Sequence, residues 1–173
     1  AAQIAAKVIA RDVSEYKVGL IEENIKRLGI TNEVAEVWDA TRFDEGLKEK
    51  ADIVIADLPC SGIGVIGKKP DIKYKLTKKQ LDELYLLQRR ILEVVQNYVK
   101  PGGILMFCTC TVNQDETIRN REWFLNNFSF DAVSIYEELP ASLKMDSAME
   151  GYVQLIQGIH DTDGFFISKF RKK

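Results

Sequence analysis

The run Asp52-Ile-Val-Ile-Ala-Asp57 constrains this chain more than any other segment. It is nearly all apolar, bounded by acids, and too short for a helix of ordinary length. A strand of this kind is usually buried on both faces, as in a parallel sheet. Parallel neighbours need long crossovers, so strands should alternate with helices. They do. Lys7–Asp12 reads as a first strand. Ser14 is placed to cap a helix carrying Val18, Ile21, Ile25 and Leu28 at helical spacing, with Gly29 at the C-cap. Glu33–Trp38 reads as a second strand and Asp52–Asp57 as a third.

A long loop from Leu58 to Leu76 follows. Thr77 and Gln80 have the spacing of a capping box. Leu81, Leu84, Tyr85, Gln88, Ile91, Leu92, Val95 and Val99 trace one helical face, which Pro101-Gly102-Gly103 ends. Gly103–Thr109 reads as a fourth strand. Asn113 and Glu116 open a helix to about Asn127. Phe130–Tyr136, Tyr152–Gln157 and Gly164–Phe170 read as three more strands, the last two as edge pieces. Parallel strands joined by right-handed helical crossovers form the expected α/β sheet, and the chain, residues 1–173, reads as a single domain.

Composition excludes several classes. The 173 residues are 46% hydrophobic and 29% charged, ordinary globular usage, which excludes disorder and a simple coiled coil. No stretch reaches the roughly 18 uncharged apolar residues of a membrane span. Ala1–Ala6 lacks the pattern of a signal peptide. Three cysteines cannot build a disulfide framework and point to free thiols in a reducing compartment, the cytoplasm. A zinc site needs four ligands, commonly from paired Cys and His motifs. Three cysteines and the loop residue His160 supply no such pairs, so no metal is expected. The net charge is −2, but Ile66–Gln80 holds six lysines and one acid, +5 locally against −7 elsewhere. Such a run is either a solvated face or a phosphate-binding patch.

Ligands of open α/β sheets bind at the carboxyl ends of the strands. Asp12 ends the first strand, Asp39 follows the second, Asp57 ends the third, and Cys108-Thr109-Cys110 ends the fourth. A single Asp at a strand end more often starts a turn; three acids and a cysteine pair at successive ends form a constellation. Asp57-Leu58-Pro59-Cys60-Ser61-Gly62 is the sharpest local feature. Pro59 stiffens the turn, and Gly62 and Gly64 permit close approach of a ligand to the backbone.

These segments, with Cys-Thr-Cys-Thr-Val and Asn-Gln-Asp-Glu behind it and the closing Asp163-Gly164-Phe165-Phe166, resemble the NOL/NOP/Sun family of S-adenosylmethionine-dependent RNA cytosine-C5 methyltransferases. Gly64-Val65-Ile66 and Pro70-Asp71-Ile72-Lys73-Tyr74 look most like the bacterial RsmB branch (Sun or Fmu), which acts on small-subunit 16S ribosomal RNA. The resemblance runs from about Lys7 to the C-terminus. It implies a Rossmann-like class I methyltransferase sheet, mostly parallel, with S-adenosyl-L-methionine as cofactor and ribosomal RNA as partner.

By that resemblance, Asp12 holds the cofactor ribose and Asp39 lies at the adenine. Asp57 and Pro59 line the methionine end, with Asp57 also near the target base. Cys110 matches the nucleophile and Cys60 the cysteine that assists product release. Cys108 stands where the family usually has a small non-catalytic residue. A thiolate added at C6 of cytosine makes C5 nucleophilic toward a methyl sulfonium, which is why the chemistry needs activated thiols. The base must leave its stack to be reached. Lys68, Lys69 and Lys73 flank the Pro-Cys loop and are expected to hold RNA phosphates.

One family feature is absent. Nothing before Lys7 matches the glycine-rich turn after the first strand, so Ala1–Ala6 is either the tail of the following helix or an appended segment. The chain reads as a truncated C-terminal piece that by itself is inactive, with a gap, a substitute strand or self-association at unpaired sheet edges. A non-catalytic RNA-binding domain is the alternative. A DNA cytosine methyltransferase and a nicotinamide dehydrogenase explain the two cysteine motifs less well.

Overall fold

The computed structural model describes residues 2–173. It resolves into two compact units, 1–43 and 44–173. In the first, β1 (Val8–Asp12) and β2 (Glu33–Val37) pair in parallel and are joined by helix α1 (Glu15–Arg27). Ser14 caps α1 by accepting the Lys17 N–H, and Gly29 takes a left-handed φ of 64° just past its end. Residues 2–4 form a turn rather than a helix tail, and Asn32 Nδ2 donates to the carbonyls of Ala2 and Ala5. Ala1 lies outside the described residues.

The second unit holds a five-stranded sheet. β3 (Ala51–Asp57) pairs in parallel with β4 (Val99–Thr109). Between them lie a one-turn helix α2 (Ile72–Lys75) and the long helix α3 (Lys78–Val95). The Thr77–Gln80 capping box is present in both directions, as the spacing predicts. The apolar face of α3 ends at Val95. Val99, assigned to that face in sequence, instead opens β4, because a short 3₁₀ turn over Gln96–Tyr98 ends the helix. β4 thus begins four residues earlier than the glycine pair suggests.

After β4 come helix α4 (Ile118–Asn127), β5 (Phe130–Ala132), the short helix α5 (Asp146–Met149), β6 (Tyr152–Leu155) and β7 (Phe165–Lys172). β7 is not an edge piece. It pairs antiparallel with β4, β5 and β6. Its alternating burial explains the placement: Phe166, Ser168 and Phe170 are fully enclosed. Pairing is parallel for the strands that carry the acids and cysteines, and antiparallel only around β7.

The core of this unit is aromatic. Phe124 lies 4.8 Å from the Phe170 ring and 5.0 Å from Phe130, and Phe107 lies 5.3 Å from Phe166. β3 departs from expectation. Ala56 is buried, but Ile53 and Ile55 are 59% and 60% exposed. The strand is therefore covered on one face, not both. β1 and β3 belong to separate sheets, β1 partnered by β2 and β3 by β4. No helix among the described residues is long and apolar enough to cross a membrane.

Candidate active site

The parallel register sets Asp57 beside Cys108. The ladder continues one step further, with Leu58 N–H donating to Cys108 O at 3.0 Å. The chain then turns at Pro59 and brings Cys60 back over the end of β4. Cys60 Sγ and Cys110 Sγ lie 3.2 Å apart. The next contact along is Gly64 N–H to Cys110 O at 3.1 Å. Backbone pairing on both sides of the turn therefore fixes where the two sulfurs meet.

Gly64 permits a close approach of the chain to itself. Its neighbour is Gly164, whose N–H donates to Gly64 O at 2.7 Å. A Cβ on Gly64 would stand 2.1 Å from Gly164 O. The two backbones approach so closely that neither can carry a side chain. Lys68 Nζ adds an ion pair with Asp163 at 2.5 Å. The Pro-Cys loop and the closing Asp163–Phe166 segment thus clasp each other. Gly62, at φ 69°, makes the left-handed turn that starts the 3₁₀ segment Ile63–Val65.

Behind the loop lies a polar cluster that the sequence reading left unassigned. Glu116 is fully buried. Its Oε2 accepts Ser61 N–H at 2.8 Å and Gln88 Nε2 at 3.2 Å, and its Oε1 accepts Asn113 Nδ2 at 3.1 Å. Gln88 Nε2 also donates to Pro59 O at 2.9 Å, and its Oε1 accepts Asn120 Nδ2 at 2.6 Å. Ser61 Oγ and Thr111 Oγ1 are 2.8 Å apart. The signal was present: Gln88 sits in the middle of an apolar helix face, where a polar side chain needs a buried partner.

The thiols differ in setting. Burial, then the adjacent Cys110, pushes the Cys60 thiol up to about 12. Burial, then the Asp57 carboxylate, pushes Cys108 up to about 12. Both remain thiols at neutral pH. Cys108 S–H points to Ala56 O at 3.7 Å and to Asp57 Oδ1 at 3.8 Å, one step inside Cys110.

The other sequence candidates are placed as follows. Asp57 and Pro59 are exposed at the end of β3. Lys69 is exposed on the loop and Lys73 on α2, with Lys73 Nζ over the Tyr74 ring at 4.8 Å. Within the run, Lys68 pairs with Asp163 and Lys79 with Glu83. In the first unit, Asp12 ends β1 and Asp39 follows β2. Asp12 accepts Ser14 N–H at 2.8 Å and pairs with Lys17 at 3.2 Å, so it also starts α1. Asp39 Oδ1 accepts the Thr41 N–H and hydroxyl at 2.9 and 2.7 Å. No group of three or more His, Cys, Asp or Glu among the described residues is arranged to hold a metal ion.

Acceptor groups at strand ends suit a ligand rich in hydroxyls and amines. Asp57 fits the polar end of such a cofactor, because its bond from the Cys108 thiol is weak and leaves lone pairs available.

The fold is the Rossmann-like α/β fold of S-adenosylmethionine-dependent methyltransferases. The chain is 38% identical over 172 residues to a probable ribosomal RNA small subunit methyltransferase B of Bacillus subtilis, covering 96% of this chain and 38% of that protein. It is 31% identical over 167 residues to ribosomal RNA small subunit methyltransferase F of Aeromonas salmonicida, covering 95% and 35%. The crystal structure of NSun6 from Pyrococcus horikoshii with SFG superposes with a TM-score of 0.80 at 29% identity, over 96% of this chain and 41% of that one. The chain therefore spans little more than a third of the curated relatives it matches. The profile described as 16S rRNA methyltransferase RsmB/F matches residues 2–171, and the chain belongs to that family.

Proposed function

We propose that this chain supplies the thiol chemistry of an S-adenosylmethionine-dependent methyltransferase that modifies C5 of a cytosine in small-subunit ribosomal RNA. The 3.2 Å approach of Cys60 and Cys110 at the ends of β3 and β4 carries the reading. Residues 1–173 are read as belonging to one methyltransferase domain. The names of the relatives, ribosomal RNA small subunit methyltransferases F and B, support the substrate class.

Cys110 loses its proton to solvent, and its thiolate adds to C6 of a cytosine turned out of its stack. The C5–C6 electron pair then resides on C5. When bound, S-adenosylmethionine supplies the electrophilic methyl group for that carbon. The ring then carries a methyl group and a hydrogen on C5 and sulfur on C6. Removal of the C5 hydrogen as a proton restores the double bond and expels the Cys110 thiolate. Cys60, beside that sulfur, is the group positioned to take the proton, which it does from its thiolate form, directly or through one water. Asp57 orients the base and, with Pro59, the methionine end of the cofactor. Asp12 accepts from the ribose hydroxyls and Asp39 from the adenine end. Lys69 and Lys73 hold RNA phosphates.

The test is a methyl-transfer assay of the whole protein that carries this chain, with small-subunit ribosomal RNA and digestion to nucleosides. The expected product is 5-methylcytidine, abolished by Cys110→Ala. Label appearing on another nucleoside, or surviving Cys110→Ala, refutes the reading.

A further inference from the structure

Glu116 is an acid with no access to solvent. Burying a carboxyl group is costly unless its oxygens are satisfied by donors. Here three N–H groups satisfy them, and their origin is informative. Ser61 directly follows Cys60. Asn113 lies three residues beyond Cys110. Gln88, the third donor, projects from α3 and also holds the carbonyl of Pro59, the residue before Cys60. The residues directly after the two cysteines, Ser61 and Thr111, are joined by their hydroxyls. The cluster therefore grips the backbone on both sides of Cys60 and ties it to the segment that carries Cys110.

We propose that Glu116, seconded by Gln88, is a positioning residue that fixes the Pro59–Ser61 turn and so holds the Cys60 sulfur against that of Cys110. Glu116 touches neither sulfur. It acts through the Ser61 N–H, a backbone donor one residue from the thiol. Its role in the reaction rests on the methyltransferase reading above, whereas its role in bringing the sulfurs together does not. A turn freed from Glu116 lets Cys60 drift from the C5 proton while Cys110, anchored at the end of β4, still reaches C6. The predicted defect is thus in release and not in attack.

The experiment uses the whole protein that carries this chain and reads two quantities. The first is the rate at which diamide joins Cys60 to Cys110, followed by mass spectrometry of the linked peptides. Diamide accepts the two thiol hydrogens with their electrons and becomes the hydrazine, leaving the S–S bond. The second is the amount of covalent protein–RNA adduct with cofactor present. Glu116→Ala, melting as a folded protein, is expected to cross-link at least tenfold more slowly and to accumulate adduct. Glu116→Gln keeps an oxygen for the Ser61 N–H and is expected to recover most of the cross-linking rate. A folded Glu116→Ala that cross-links at the unmodified rate overturns the proposal. If Glu116→Ala does not fold, Gln88→Met decides: cross-linking slowed about threefold supports the proposal, and an unchanged rate overturns it. Slow cross-linking with no adduct in any variant supports the positioning role and refutes the methyltransferase chemistry instead.

Discussion

The sulfurs of Cys60 and Cys110 stand 3.2 Å apart although fifty residues separate them in sequence. The parallel ladder of β3 and β4 brings the two strand ends level, and the turn at Pro59 folds one thiol over the other. In the proposed reaction, two thiols this close flank one base, one bonded to C6 and the other facing the proton on C5.

The raised Cys60 thiol gives release a distinctive pH dependence. A group pushed up to about 12 is almost entirely protonated at neutral pH. Only its thiolate can take a proton, and that fraction grows about tenfold per pH unit well below its midpoint. Resolution of a preformed adduct is therefore expected to accelerate about tenfold per unit between pH 7 and roughly pH 9. Single-turnover measurement of adduct decay checks this. A flat profile, or decay that slows as pH rises, removes Cys60 as the proton acceptor.

The Gly64–Gly164 contact ties the Pro-Cys loop to the closing strand. Gly64→Ala forces a Cβ to within 2.1 Å of Gly164 O, which only a backbone shift can relieve. Overpacking of this kind costs about 1–3 kcal/mol. Denaturant unfolding is expected to show that loss, together with slower Cys60–Cys110 cross-linking. Gly19→Ala is the control, because a Cβ there meets no atom within 4 Å; in helix α1 it is expected to be neutral or stabilising.

The lysine run should divide by its partners. Lys69, on the loop, and Lys73, on α2, are exposed, whereas Lys68 is held by Asp163. Each lysine that neutralises a phosphate contributes about one unit to the slope of log affinity against log salt. Lys69→Ala with Lys73→Ala is expected to reduce that slope by about two in a ribosomal RNA titration. Lys68→Ala is expected to reduce it less. An unchanged slope in the double variant makes the run a solvated face.

Much of the architecture was legible because local signals agreed with it. Ser14 caps α1, Thr77 and Gln80 form their capping box, and all three strands ending near an acid appear where their apolar runs lie. Two readings failed for a common reason. Val99 continues the periodicity of α3 yet begins β4, and β7 reads as an edge yet lies among three partners. In both, tertiary pairing decides what periodicity cannot. The meeting of Cys60 with Cys110 is a register effect between β3 and β4, invisible in either segment alone. Glu116 hid as a helix-opening residue because two of its three partners lie 28 and 55 residues away.

The roles of the two cysteines separate most sharply in adduct trapping. The whole protein that carries this chain is incubated with small-subunit ribosomal RNA and S-adenosylmethionine, and the species is resolved on a denaturing gel. Cys60→Ala is predicted to accumulate a covalent protein–RNA band, because attack proceeds and release stalls. Cys110→Ala is predicted to form none and to transfer no methyl group. A covalent band in Cys110→Ala, with none in Cys60→Ala, contradicts the assignment of Cys110 as the sulfur that bonds to the base.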